Sequence, residues 1–154
     1  MVFRKTENGY ILRLIRNEKI VEKLTDFCIK ENIRSGVFYG IGAVLEAEIG
    51  FYKLDKKEYK FKKLDRPQEI VSLTGNVALV ENKPFLHIHI VLASDDFVCS
   101  GGHLKEAVVG ATCEVYLFAF KAAIERVFDK EIGLKLLNCK INRHYQSGRT
   151  RSYS

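Results

Sequence analysis

Apolar and polar positions along the chain follow two different periods, and the switch between them marks out the elements. Between Glu18 and about Asn32 the apolar residues Ile20, Val21, Leu24, Phe27 and Cys28 recur every three or four positions, with Lys19, Glu22, Lys23, Asp26 and Lys30 on the other face. That spacing predicts one amphipathic helix, with Asn17 as its cap. Elsewhere the period is two, or the run is continuously apolar, which predicts strands. They are expected at Tyr10 to Arg16, Ser35 to Val44, Glu46 to Leu54, Glu69 to Val80, Phe85 to Ala93, Val98 to Ser100 and Ala111 to Phe120. Gly75-Asn76 is expected to break the fourth of these, and Glu81 to Pro84 to form a turn. Lys121 to Phe128 fits a short helix or a strand equally well, and Asp129 to Gly133 closes it with a turn.

This pattern gives a single domain built mostly of β-strands with one main amphipathic helix. At 154 residues and 47% hydrophobic, the chain has the material for one packed core. The 25 Lys+Arg against 19 Asp+Glu leave a net +6. A charge of that size fits a polyanion partner, but it equally serves solubility. Much of it lies in two places. Lys53 to Arg66 holds seven basic and three acidic residues around Tyr59 and Phe61, and reads as a charged edge hairpin. Arg143 to Ser154 has three arginines and no carboxylate side chain, and reads as a polar tail. No apolar run is long enough to cross a bilayer and the N-terminus has no signal-peptide pattern, so a cytoplasmic protein with no membrane contact is expected. The four cysteines are widely spaced with no C-x-x-C pair, which predicts free and mostly buried thiols.

The candidate chemistry lies in the histidines. Strand alternation over Phe85 to Leu92 puts Leu86, Ile88, Ile90 and Leu92 on one face and Phe85, His87, His89 and Val91 on the other. Two imidazoles two residues apart on a strand can converge on one ion. His103 follows the flexible pair Gly101-Gly102 after a turn, so the next strand can bring it to the same point. Three neutral imidazoles with an open fourth position suit zinc. On spacing alone, a metal site and a chance enrichment of surface histidine stand level.

Three runs carry a resemblance: Glu69-Ile70-Val71-Ser72-Leu73-Thr74-Gly75-Asn76, Lys83-Pro84-Phe85-Leu86-His87-Ile88-His89-Ile90-Val91-Leu92 and Gly101-Gly102-His103-Leu104. Together with Gly40-Ile41-Gly42-Ala43-Val44, Ala111-Thr112-Cys113-Glu114-Val115 and Gly133-Leu134-Lys135-Leu136-Leu137, they resemble the PPC domain, the plant and prokaryote conserved or PD1-like DNA-binding family. The resemblance runs to about Asn138 and divides the chain into a PPC-like domain, 1–140, and a basic polar tail, 141–154. It implies the α+β fold class, a single compact domain of mostly antiparallel β-sheet with one main helix assembled as a homotrimer, and a metal, typically zinc, gathered by His87, His89 and His103. It also implies a link to DNA, yet plant members use an Arg-Gly-Arg-Pro hook, and Ser147-Gly148-Arg149-Thr150-Arg151 lacks its proline. The expected function is therefore a metal-binding PPC-domain protein with a regulatory, ligand-sensing or DNA-associated role. The alternative is a small zinc enzyme acting on a carbonyl-type small molecule, by fold analogy to acetolactate decarboxylase.

Other residues carry weaker readings. Glu69 is a candidate catalytic base or hydrogen-bond partner near the metal, although a purely structural carboxylate is the stronger reading. Glu106 and Glu114 have the same standing with less support. Cys99 is read as a buried structural thiol before a fourth ligand, and His144 is given no role. Lys56, Lys57, Lys60, Lys62 and Lys63, with Arg143, Arg149 and Arg151, are candidate nucleic-acid contacts if they share one face.

Overall fold

The computed structural model describes residues 1–139. The elements run β1 (Val2–Thr6), β2 (Gly9–Ile15), α1 (Ile20–Lys30), β3 (Gly36–Lys53), β4 (Glu58–Leu64), β5 (Gln68–Val80), β6 (Lys83–Ala93), β7 (Cys99–Ala119), β8 (Arg126–Asp129) and β9 (Leu134–Leu137). The first seven strands form one antiparallel sheet in the order β1-β2-β7-β6-β5-β3-β4, and β8 and β9 form a separate hairpin. Because β7 also pairs with β3, the strands β3, β5, β6 and β7 close into a ring. Ile88, Ile90, Leu92, Leu73, Val77, Val109 and Val115 are buried, and Leu24 and Phe27 of α1 join the same core. Among the described residues no helix is long and apolar enough to cross a membrane.

Several expected breaks are absent, and glycine explains one of them. Ser35 to Leu54 is expected as two strands parted at Leu45 but is one, β3, which passes that point with register shifts against β7 on both sides of Val44. Gly42 has a φ of 151°, and a Cβ there would stand 2.1 Å from the Thr112 carbonyl oxygen, so glycine at this point lets β3 lie close against β7. Gly75 likewise leaves room for the Phe38 ring, which a Cβ would meet at 2.4 Å, and β5 runs through it. The strands expected at Val98 to Ser100 and Ala111 to Phe120 belong, apart from Val98 and Phe120, to the single 21-residue strand β7. The turn expected over Glu81 to Pro84 is confined to Glu81-Asn82, with positive φ at both residues, the twist a two-residue hairpin needs, and Lys83 and Pro84 already belong to β6. The ambiguous stretch Lys121 to Phe128 is irregular up to Glu125 and enters a strand, β8, at Arg126, and β1 and β9 are additional strands.

The helix start differs in an informative way. Asn17 lies in the left-handed region, φ 70°, inside a turn, so it does not cap α1. The first helical position follows Lys19, which makes no side-chain cap hydrogen bond. The carboxylate of Glu106 on β7 accepts instead from the backbone N–H groups of Val21 (2.8 Å) and Glu22 (3.2 Å). A carboxylate at this end also meets the positive end of the helix dipole. Glu106 thus ties the helix to the longest strand, and its role is structural. Glu106→Ala is expected to lower unfolding stability by about 1–2 kcal/mol in urea titrations, and Glu106→Gln by less, as for other lost helix caps.

Candidate metal centre

The alternation along β6 is as expected: Leu86, Ile88, Ile90 and Leu92 are buried, while Phe85, His87, His89 and Val91 face outward. The first residues of β7 lie antiparallel to β6, and the register sets His103 directly opposite His89. The glycines make this approach possible. A Cβ at Gly102 would stand 2.6 Å from the Gly50 carbonyl oxygen of β3, and one at Gly101 would stand 2.9 Å from that of Ile90. His103 therefore sits where β7 passes from β6 to β3, and the Tyr59 ring of β4 packs against it at 4.9 Å.

The three rings form a tight group. Their centroids are 5.1 Å (His87–His89), 5.2 Å (His87–His103) and 5.7 Å (His89–His103) apart, and one nitrogen of each lies within 4.8 Å of the others. Two nitrogens on one tetrahedral zinc are about 3.3–3.4 Å apart, so small ring rotations would bring all three onto one ion. Nδ1 of His103 is buried and has no hydrogen-bond partner, the condition of a nitrogen suited to a Lewis acid. Burial pushes His87 from 6.5 down to about 4, reinforced by His103, Arg126 and His89 in that order. Burial, then His89, also lowers His103. These two imidazoles are neutral at pH 7, the form that donates a lone pair to a metal. The donor set fits a borderline metal ion such as zinc and leaves a fourth position without a protein ligand among the described residues.

The other candidates are elsewhere. Glu69 pairs with Ala93, whereas His89 pairs with Thr74, five residues further along β5. Glu69 lines a cavity of about 280 Å³ with Ile41, Gly42, Ile70, Thr112 and Glu114 and is not beside the histidines. Glu106 caps the helix. Cys99 is exposed, not buried, because β7 begins there at the end of the sheet, paired with Ala93. Cys139 is also exposed, so only Cys28 and Cys113 are core thiols, each pushed up to about 12 by burial. His144, Arg143, Arg149 and Arg151 lie outside the described residues. The lysines do not share a face: alternation on β4 sets Lys60 and Lys62 on one side and Lys63 on the other with Tyr59 and Phe61. Lys57, in the turn before β4, donates to the Lys130 carbonyl.

Two features were not evident in the sequence. Outward side chains form a continuous row across paired strands, Tyr116, Tyr39, Thr74, His89, His103, with a parallel row Phe118, Val37, Asn76, His87. An exposed apolar face on β3 and β7 thus leads into the histidine group. Arg126 on β8 also reaches this face, donating to Oδ1 of Asn76 at 2.7 Å. No local signal marks Arg126, because the contact depends on how the β8–β9 hairpin folds back.

A model of the Plants and Prokaryotes Conserved (PCC) domain matches residues 1–121. A solved metal-containing protein from Archaeoglobus fulgidus is 40% identical, with a TM-score of 0.80 over 88% of this chain and 97% of its own. A Bacteroides thetaiotaomicron protein provisionally named as DNA-binding is 30% identical, with a TM-score of 0.87 over 89% of this chain and 96% of its own. Acetolactate decarboxylase from Bacillus subtilis subspecies spizizenii is 11% identical with a TM-score of 0.53, a likeness of fold alone in which this chain spans 53% of that one. Comparison with curated proteins finds no match.

The pH dependence of stability follows from His87. Its folded value, about 4, lies below the 6.5 of the free side chain, so the unfolded chain binds the proton more readily. The stabilisation is complete above that higher value and is lost as pH falls through the lower one. With metal removed by chelator, the urea midpoint is expected to fall from pH 7 to pH 4, and to fall less in His87→Gln. Equal slopes for the two proteins would contradict this account of the site.

Proposed function

On the footing that the chain belongs to the Plants and Prokaryotes Conserved domain family, we propose that it is a metal-binding module holding zinc at His87, His89 and His103. The observation that carries this is the convergence of three imidazole nitrogens within 4.8 Å of one another. The metal-containing Archaeoglobus relative supports it. A bound zinc would supply a Lewis acid with an exchangeable position. Three protein donors leave room for a small-molecule ligand, and this suits a sensing or regulatory role in a cytoplasmic protein. The same open position keeps a small enzyme acting on a carbonyl compound as the second reading. Binding is preferred because no carboxylate joins the histidine group among the described residues, and Glu69 as catalytic base would have to act from a separate cavity.

DNA association has support in the provisional naming of the Bacteroides relative. The division of Lys60 and Lys62 from Lys63 speaks against the hairpin as one phosphate-tracking strip. We place DNA as a partner of the assembled protein rather than of this hairpin alone. The assembly we propose is a homotrimer. Val37, Tyr39, Ile41, Tyr116 and Phe118 are 40% to 60% exposed on the outer face of β3 and β7, and Tyr39 stacks on Tyr116 at 5.4 Å. An apolar face of this kind fits contact with another copy.

Metal analysis of untagged protein after zinc supplementation is expected to give about one equivalent per chain, falling steeply in His87→Ala. A content below about 0.3 equivalents that His87→Ala leaves unchanged would overturn the metal reading. Light scattering is expected to give the mass of three chains, and Tyr39→Glu to shift it towards one. A monomeric wild type would refute the assembly.

A further inference from the structure

Arg126 lies past residue 121, where the family match ends, yet it is built into the histidine face. Its Nη2 donates to Oδ1 of Asn76, the residue paired with His87 across β5 and β6. Its guanidinium lies 5.4 Å from the ring of Phe85, two positions before His87 on the same side of β6. Nη1 donates to the Lys135 carbonyl at 2.9 Å, so the side chain is held between the β8–β9 hairpin and the main sheet.

These contacts leave a mismatch of charge. A guanidinium has five N–H donors, and two take neutral acceptors. Nε is buried without a partner, and among the described residues no carboxylate forms an ion pair with Arg126. A partly buried cation without a counter-charge is unfavourable, and a divalent ion on three neutral imidazoles beside it makes the local field more positive still. The hairpin itself is anchored elsewhere, by Leu79 N–H to the Ile124 carbonyl at 2.7 Å and by the Tyr52 hydroxyl to the Ile132 carbonyl at 2.7 Å. Anchoring alone therefore does not account for a cation at this place.

We propose that Arg126 is the anion-holding part of this site, and that its ligand is a small-molecule carboxylate occupying the open side of the histidine group with one oxygen held by the guanidinium. The guanidinium would give that oxygen a charge-assisted N–H hydrogen bond, and the metal would supply the second attachment. This rests on the metal reading above and adds the chemical class of the ligand.

Cobalt-loaded protein, titrated with acetate and separately with neutral imidazole while the visible cobalt bands are followed, tests the assignment. Acetate affinity is expected to fall about tenfold or more in Arg126→Gln and to stay within about threefold of wild type in Arg126→Lys, since the charge is kept and only the fork is lost. Imidazole affinity, which needs the metal but no cation, is expected to stay within about twofold in both variants and so reports an intact site. Cobalt bound at one equivalent with the same acetate affinity in Arg126→Gln would overturn this inference and leave the metal reading standing. Parallel loss of imidazole and acetate affinity would make Arg126 a structural anchor and overturn it as well. Failure of the wild type to bind cobalt would overturn the metal reading and this inference with it.

Discussion

The pairing of β7 with three neighbours is the constraint on which the rest of the molecule depends. Its first residues lie on β6, it runs along β3 from His103 to Ala119, and its second half also carries β2. Closing β3, β5, β6 and β7 into a ring satisfies the backbone of the central strands and leaves β1 and β4 as the edges of the main sheet. It also fixes which side chains are buried, because a slip of one residue would exchange the faces of a strand. Glu106 couples the same strand to the helix, so the one helix is positioned by the sheet and not by its own cap.

The histidine group is a consequence of that closure. β7 can cross from β6 to β3 only where its backbone comes close to both, and Gly101 and Gly102 stand at the crossing. The residue after them lands opposite His89. Packing against Tyr59 then shields His103 from water, and burial of His87 and His103 keeps their imidazoles neutral. The site thus combines geometry from glycine with protonation state from desolvation.

The positive net charge has less bearing on function than its size suggests. Lys105 and Lys53 pair with Glu48 and Glu58, and Lys57 holds a backbone carbonyl. Lysines on the edge strand β4 also discourage other strands from adding to it. The cation that matters for the histidine face is Arg126, which no run of basic residues announces.

Periods of two and three to four sufficed to read the body of the helix, the strands β2, β5 and β6 and the two faces of β6 from the sequence, because local burial leaves its mark on every second or every third to fourth residue. His87, His89 and the glycines before His103 were legible for the same reason, since strand alternation and glycine freedom are local properties. The length of β3 and β7 was not legible: the step at Leu45 in β3 and the stretch between Ser100 and Ala111 in β7 interrupt the local pattern, and only pairing with neighbouring strands carries each strand through. Nor could the sequence place Glu106 at the helix start 84 and 85 residues away, or bring Arg126 to Asn76 across 50. Those contacts join distant parts of the chain, and only the tertiary structure, by closing the ring and folding the last hairpin back, decided them.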